Sequence, residues 1–269
     1  MSLQRILALG AVMLLLNGCG KTGPMTPVPS TQASLPPETT EAAPVPPPTE
    51  TTLPAETLPP EPVHSELYIP EVSTEDVIRY FVEVCLGAEY IHSGDPSLLQ
   101  KWEEPIAYIL HGDPTAEDLD TLSGFTAWLN TIEGFPGISR TEDAAAANLR
   151  IHFCSQEMLL ELMGQQFTGL DGAVTFWYQE DAIYDAIICC RTDLDQHLRN
   201  SVILEEVYNC LGPIQDTYLR PDSIIAQEFS TTQSLTKVDE LILKLLYHPR
   251  MTCGMDRSQC EAVIRELYY

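Results

Sequence analysis

The 269-residue chain carries 39 Asp+Glu against 14 Lys+Arg, a formal net charge of −25 at pH 7. A surface this acidic repels phosphate backbones and excludes nucleic acid as a partner. Residues 20–66 hold 13 of the 21 prolines and cannot join a packed core, whereas 67–269 is long enough for one well-filled domain.

Along the chain, Arg5 gives a short basic start, and Ile6–Leu16 is an apolar run too short to span a bilayer comfortably. The run stops at Leu16-Asn17-Gly18-Cys19, which resembles a bacterial lipobox. Small residues before the cysteine admit a signal peptidase, and the Cys19 thiol is the acyl acceptor. Residues 1–19 are therefore expected to be a lipoprotein signal, with a cleaved secretory leader and an incidental cysteine as the alternative. A lipidated Cys19 would anchor the chain to the cell membrane on its extracytoplasmic face. Residues 20–66 follow as a disordered Pro/Thr/Glu-rich stalk, including Pro36-Pro37, Pro46-Pro47-Pro48 and Glu61-Pro62. Proline fixes φ and removes donors, which favours extended polyproline II. At ~3.1 Å per residue, about 40 residues reach on the order of 130 Å.

Residues 67–269 form the expected globular domain. Ser73 with Asp76 reads as an N-cap pair, with Val77, Phe81, Val84 and Cys85 at helical spacing. Trp102–Leu110 reads as one strand ending at the Gly112-Asp113-Pro114 turn. Thr115 and Asp118 look like a second capping pair, ahead of a helix with Leu119, Leu122, Phe125, Trp128, Leu129 and Ile132 on one face. Asn148–Phe153 alternates as a half-buried strand, and Ser155–Met163 is a short helix. Gly172–Tyr178 and Ile183–Cys190 read as strands joined by a turn at Gln179-Glu180-Asp181. Helices near 197–211 and 236–247 complete an α+β layout in which strands precede the later helices. Seven further cysteines (85, 154, 189, 190, 210, 253 and 260) allow at most three bridges, and none has CxxC spacing. Cys253 and Cys260 are close enough to close a small loop, while the alternative is that all seven are small buried hydrophobes.

The distinctive stretch is Leu204-Glu205-Glu206-Val207-Tyr208-Asn209-Cys210-Leu211-Gly212-Pro213-Ile214-Gln215-Asp216. On a helix, Glu205 and Asn209 share a face with Glu206 beside them. Gly212 suits a left-handed helix end, Pro213 stops continuation, and the returning chain brings Gln215 and Asp216 towards that face. Taken alone, Glu205-Glu206 would be a solvated acidic helix face.

In arrangement this stretch resembles the metzincin superfamily of metalloproteases, whose H-E-x-x-H-x-x-G-x-x-H motif holds zinc. The resemblance spans roughly 100–250. It implies a zincin-like α+β fold, with a small mixed sheet packed on long helices. It also puts Glu205, Asn209 and Gln215 at the three metal-ligand positions and Glu206 at the catalytic, general-base position. Asp222-Ser223-Ile224-Ile225 resembles the turn that places a methionine beneath the metal, with Ile225 standing there instead. Glu205–Gly212, Asp222–Ile224 and Leu246–Met255 are also similar to a bacterial family of exported proteins without assigned function.

Zinc prefers imidazole and thiolate, so loss of all three histidines argues against a zinc cofactor. Three readings follow. The domain is a degenerate metalloprotease serving as a binding or interaction module at the envelope. Alternatively, Glu205, Glu206, Gln215 and Asp216 form an oxygen-rich site for Ca²⁺ or Mg²⁺, or the domain is a metal-dependent peptidase with atypical ligands and Glu206 as base. The resemblance further implies that the aromatic strand Gly172–Tyr178 pairs with an extended peptide or envelope protein by β-addition, the alternative being a core-packed hairpin strand. Asp193-x-Asp195-x-His197 reads as a helix cap rather than a metal site. His111 and His152 read as packed or half-exposed strand residues rather than ligands. The sequence contains no GxSxG elbow and no GxGxxG or phosphate loop.

Overall fold

The computed structural model describes residues 10–13 as backbone, and 65–87, 98–228 and 231–269 in full. Cys19 and the proline-rich stretch through residue 64 lie outside the described residues. Among the described residues, six α-helices form where a short polar side chain caps an apolar-periodic run. They are α1 (Thr74–Leu86), α2 (Ala116–Leu129), α3 (Gln156–Met163), α4 (Gln196–Cys210), α5 (Lys237–Tyr247) and α6 (Arg257–Leu267). In each, the preceding Ser, Thr or Asp accepts the N–H of the third helical residue. Asp195 is the cap of α4, and Asp193 pairs instead with Arg191.

The strands are β1 (Gly10–Met13), β2 (Lys101–Trp102), β3 (Ile106–Gly112), β4 (Ile138–Arg140), β5 (Leu149–Cys154), β6 (Gly172–Gln179) and β7 (Ala182–Arg191). They make one mixed sheet in the order β1-β6-β7-β5-β3-β4, with β2 parallel beside the start of β7. Strands β4, β3, β5 and β7 run parallel, and β6 and β1 are antiparallel additions. The fold is mixed α/β, and helices α2 and α3 interleave with the strands rather than follow them.

Two expectations need correction. Trp102–Leu110 is not one strand: Pro105 cannot donate to a ladder, so β2 and β3 separate and take different partners. The chain also forms a further helix, α6, opened by a capping box of Asp256 and Gln259. The hairpin turn is as expected, with Glu180 (φ 52°) and Asp181 (φ 63°) both left-handed. All seven described cysteines are free.

Alternation sorts the sheet's side chains onto two faces. Ile151, Phe153, Ile188, Cys190, Val174 and Phe176 pack with Leu122, Phe125 and Leu129 of α2 and Val202, Ile203 and Val207 of α4. Cys154, Ala173 and Cys189 face the other way, under Leu159, Met163, Phe167 and Leu170.

Asp239 has no solvent exposure, and its carboxylate accepts from Tyr80 Oη (2.9 Å), Ser223 Oγ (2.8 Å) and Thr236 Oγ1 (2.8 Å). Replacing it by alanine leaves those buried donors without an acceptor. Asp239→Ala is expected to cost about 3 kcal/mol or more, read from the denaturant midpoint of the domain.

Candidate functional site

Helix α4 is fixed at its N-terminal end by an ion pair that is almost wholly buried. Arg199 Nε lies 2.8 Å from Asp118 Oδ1, with side-chain exposures of 8% and 0%. Arg199 also donates to Thr192 O (2.9 Å), and Asn200 donates to Glu117 Oε1 (2.8 Å). Burial pushes the Asp118 carboxyl up, but hydrogen bonds from Gln196, Thr115 and Arg199 outweigh it and hold the group below the usual carboxylate range. This locks the rotation of α4 against α2 and decides which α4 side chains meet the sheet.

Further along α4, Glu206 is 1% exposed and Asn209 fully buried, while Glu205 is half-buried. The Glu206 carboxyl lies beneath Gly172 at the start of β6. A Cβ on Gly172 would fall 2.6 Å from Glu206 Oε1 and 2.5 Å from Val202 Cγ1. A glycine is thus required there for α4 to approach the strand.

The helix ends as its sequence dictates. Gly212 takes φ 126°, and a Cβ there would lie 2.5 Å from Gln100 O. The terminal carbonyls are satisfied from outside: Trp102 Nε1 donates to Cys210 O (2.9 Å) and Tyr247 Oη to Leu211 O (2.8 Å). The chain then turns back along α1, where the Ile214 and Gln215 N–H groups both donate to Val84 O. The Gln215 side chain packs against Gly87, its Oε1 only 1.7 Å from where a Cβ would stand.

Asp216 is buried and close enough to act electrostatically on both glutamates. The loop beyond is anchored by a parallel bridge between Thr217 and Ala226 and by Thr217 Oγ1 donating to Glu83. The Ser223 hydroxyl and the Ile224 N–H donate to Asp239, and Ile225 is fully buried in the core.

Both Glu206 oxygens, and both polar atoms of the Asn209 amide, lack a hydrogen-bonding partner among the described residues. Burial, then the charges of Asp216 and Asp171, push the Glu205 carboxyl well above its ordinary range. Burial, then Glu205 and Asp216, do the same to Glu206. The fold therefore favours the neutral acids. Asp171 joins this group unexpectedly, through its charge acting on Glu205 from the position immediately before Gly172.

These donors do not suit zinc, since they offer a carboxyl, an amide and a glutamine turned onto Gly87. No three His, Cys, Asp or Glu side chains among the described residues are grouped so as to hold a metal ion. What the site holds is a buried carboxyl beneath the start of β6 and a buried amide three residues further along α4, both without hydrogen-bonding partners among the described residues.

Residues 74–266 match the model of a family described as a protein of unknown function (DUF2927). No curated protein matches the chain.

The raised Glu206 carboxyl has a defined effect on stability. Between the ordinary glutamate range and the raised value, the folded state binds more protons than the unfolded state, so stability falls as pH rises through that window. Glu206→Gln keeps the shape and removes the ionisation. The variant is expected to be more stable than wild type by about 1–3 kcal/mol at pH 8 and to converge with it near pH 4. Thermal unfolding of both proteins across that range checks the sign.

Proposed function

We propose that this chain, which belongs to the DUF2927 family, is a lipid-anchored binding module of the cell envelope. In this reading a metzincin-like domain takes an extended polypeptide along the outer edge of β6.

The observation that carries the proposal is what lies on the outer edge of that strand. A segment of the chain itself, Gly10–Met13, lies antiparallel on β6, from Gly10 opposite Tyr178 to Met13 opposite Thr175. It belongs to the expected leader, and its removal on export would free the edge. Arg191 N–H donates to Asp171 O. The alternation of antiparallel bonding then directs the N–H groups of Val174 and Phe176 to the outer side. The Val174 and Phe176 side chains are fully buried in the core, while Trp177 and Tyr178 are half-buried. Main-chain groups on a rigid strand give affinity for any extended partner, and flanking aromatic rings give preference.

The metzincin-like reading draws support from the antiparallel edge strand beside α4, the Gly212 helix end, and the buried turn at Ile225. Binding is favoured over hydrolysis by the state of Glu206. Burial, then the charges of Glu205 and Asp216, favour the protonated form of this carboxyl, and a protonated carboxyl cannot take a proton from water. No helix among the described residues is long and apolar enough to cross a membrane, so attachment in this reading falls to Cys19.

Two measurements test the proposal. Hydrogen exchange of the chain beginning at residue 19 should register slowed exchange at Val174 and Phe176 when an unfolded, alkylated polypeptide is added, and the polypeptide should be recovered intact. Unchanged exchange would sink the binding module; cleavage by wild type but not by Glu206→Gln would establish a hydrolase instead. In bacteria that lipidate exported proteins, radioactive palmitate should label the full chain and not Cys19→Ser.

A further inference from the structure

Away from α4, the sheet carries a second group of ligand-type side chains. His111 of β3 and His152 of β5 are directly opposed in adjacent parallel strands. Their rings stack with centroids 4.5 Å apart and an interplanar angle of 18°. Both are half-buried, and neither ring has a hydrogen-bonding partner among the described residues.

We propose that His111 and His152 form a two-imidazole site for a borderline divalent transition metal, of the Ni²⁺, Cu²⁺ or Zn²⁺ class. Opposed side chains on neighbouring strands leave the same face about 5 Å apart. Rotation about the ring-bearing bond can then point one nitrogen of each at a shared ion, with bonds of about 2.0–2.1 Å for zinc. Water fills the remaining positions from the exposed side. Imidazole selects these ions over Ca²⁺ and Mg²⁺, which want oxygen donors. The neighbouring charge does not forbid a cation: Arg150, two residues before His152 on the same face, is neutralised by Asp185 at 2.6 Å. The next position in the row is the buried Cys189, opposite His152 in β7. Two protein donors make a moderate site, occupied when metal is supplied rather than required for folding.

Isothermal titration of the full chain with Ni²⁺ tests this, with thermal unfolding as a second readout. One Ni²⁺ should bind with an affinity that falls at least about tenfold, or ~1.4 kcal/mol, in both His111→Gln and His152→Gln. Ni²⁺ should also raise the unfolding midpoint of wild type but of neither variant, which separates lost binding from a lost fold. His197→Gln, an exposed histidine outside the row, should bind as wild type does, and excess Ca²⁺ should not displace the ion. The proposal fails if either strand variant retains wild-type affinity, if Ca²⁺ competes at equal concentration, or if the His197 variant loses the ion.

Discussion

The carboxylate of Asp239 is the point on which the lower half of the domain depends. It is the third residue of α5 and closes that helix's capping box with Thr236. The same two oxygens accept from Tyr80 on α1 and from Ser223 and the Ile224 N–H in the loop before α5. Its own carbonyl accepts from Tyr208 on α4 at 3.0 Å. One buried charge, fully hydrogen-bonded, thus sets the distances among three helices and the turn that carries Ile225. Because a buried acceptor with this many donors admits few alternatives, the network specifies one arrangement more than it adds net stability.

Against that satisfied carboxylate stands the unsatisfied one. Asp239 and Glu206 are comparably buried, yet Glu206 has no hydrogen-bonding partner among the described residues and sits close to two further acids. The first arrangement is what a fold requires; the second is what a fold must offset elsewhere. The Arg199–Asp118 pair and the Gly172 approach supply the offset, because they fix α4 so tightly that Glu206 cannot swing out to water. An unpartnered buried acid at such a position is a local conflict that core packing alone does not account for.

Local signals were legible in the sequence to the extent that they were local. Ser73/Asp76, Thr115/Asp118 and Asp195 mark helix starts because a cap needs only residues three apart, and each appears where expected. The turn at Glu180-Asp181 and the stop at Gly212-Pro213 are equally short-range. The break between β2 and β3 is masked by the apolar run around Pro105, and α6 by the polar residues of its first turn, where the Asp256/Gln259 capping box is the one local signal. The destination of Gln215 was not legible at all. Spacing brings it back towards α4, but the Val84 carbonyl of α1, distant in sequence, captures its backbone and the side chain follows onto Gly87. Asp216, one residue on, lies near the glutamates instead.

That one-residue difference bears on what this group of residues can do. A metal-bound water needs a ligand set that lowers its pKa and a base with a free lone pair beside it. In this chain the returning segment brings a third acid rather than a neutral donor, and burial, then mutual repulsion, drives the group towards protonation. A neutral carboxyl is a hydrogen-bond donor, as is the Asn209 amide. Under the proposed function, the lost histidines and the raised Glu206 belong to one change. In that reading the buried acid and amide lie against the inner side of the sheet, and the main-chain groups of β6 meet the partner.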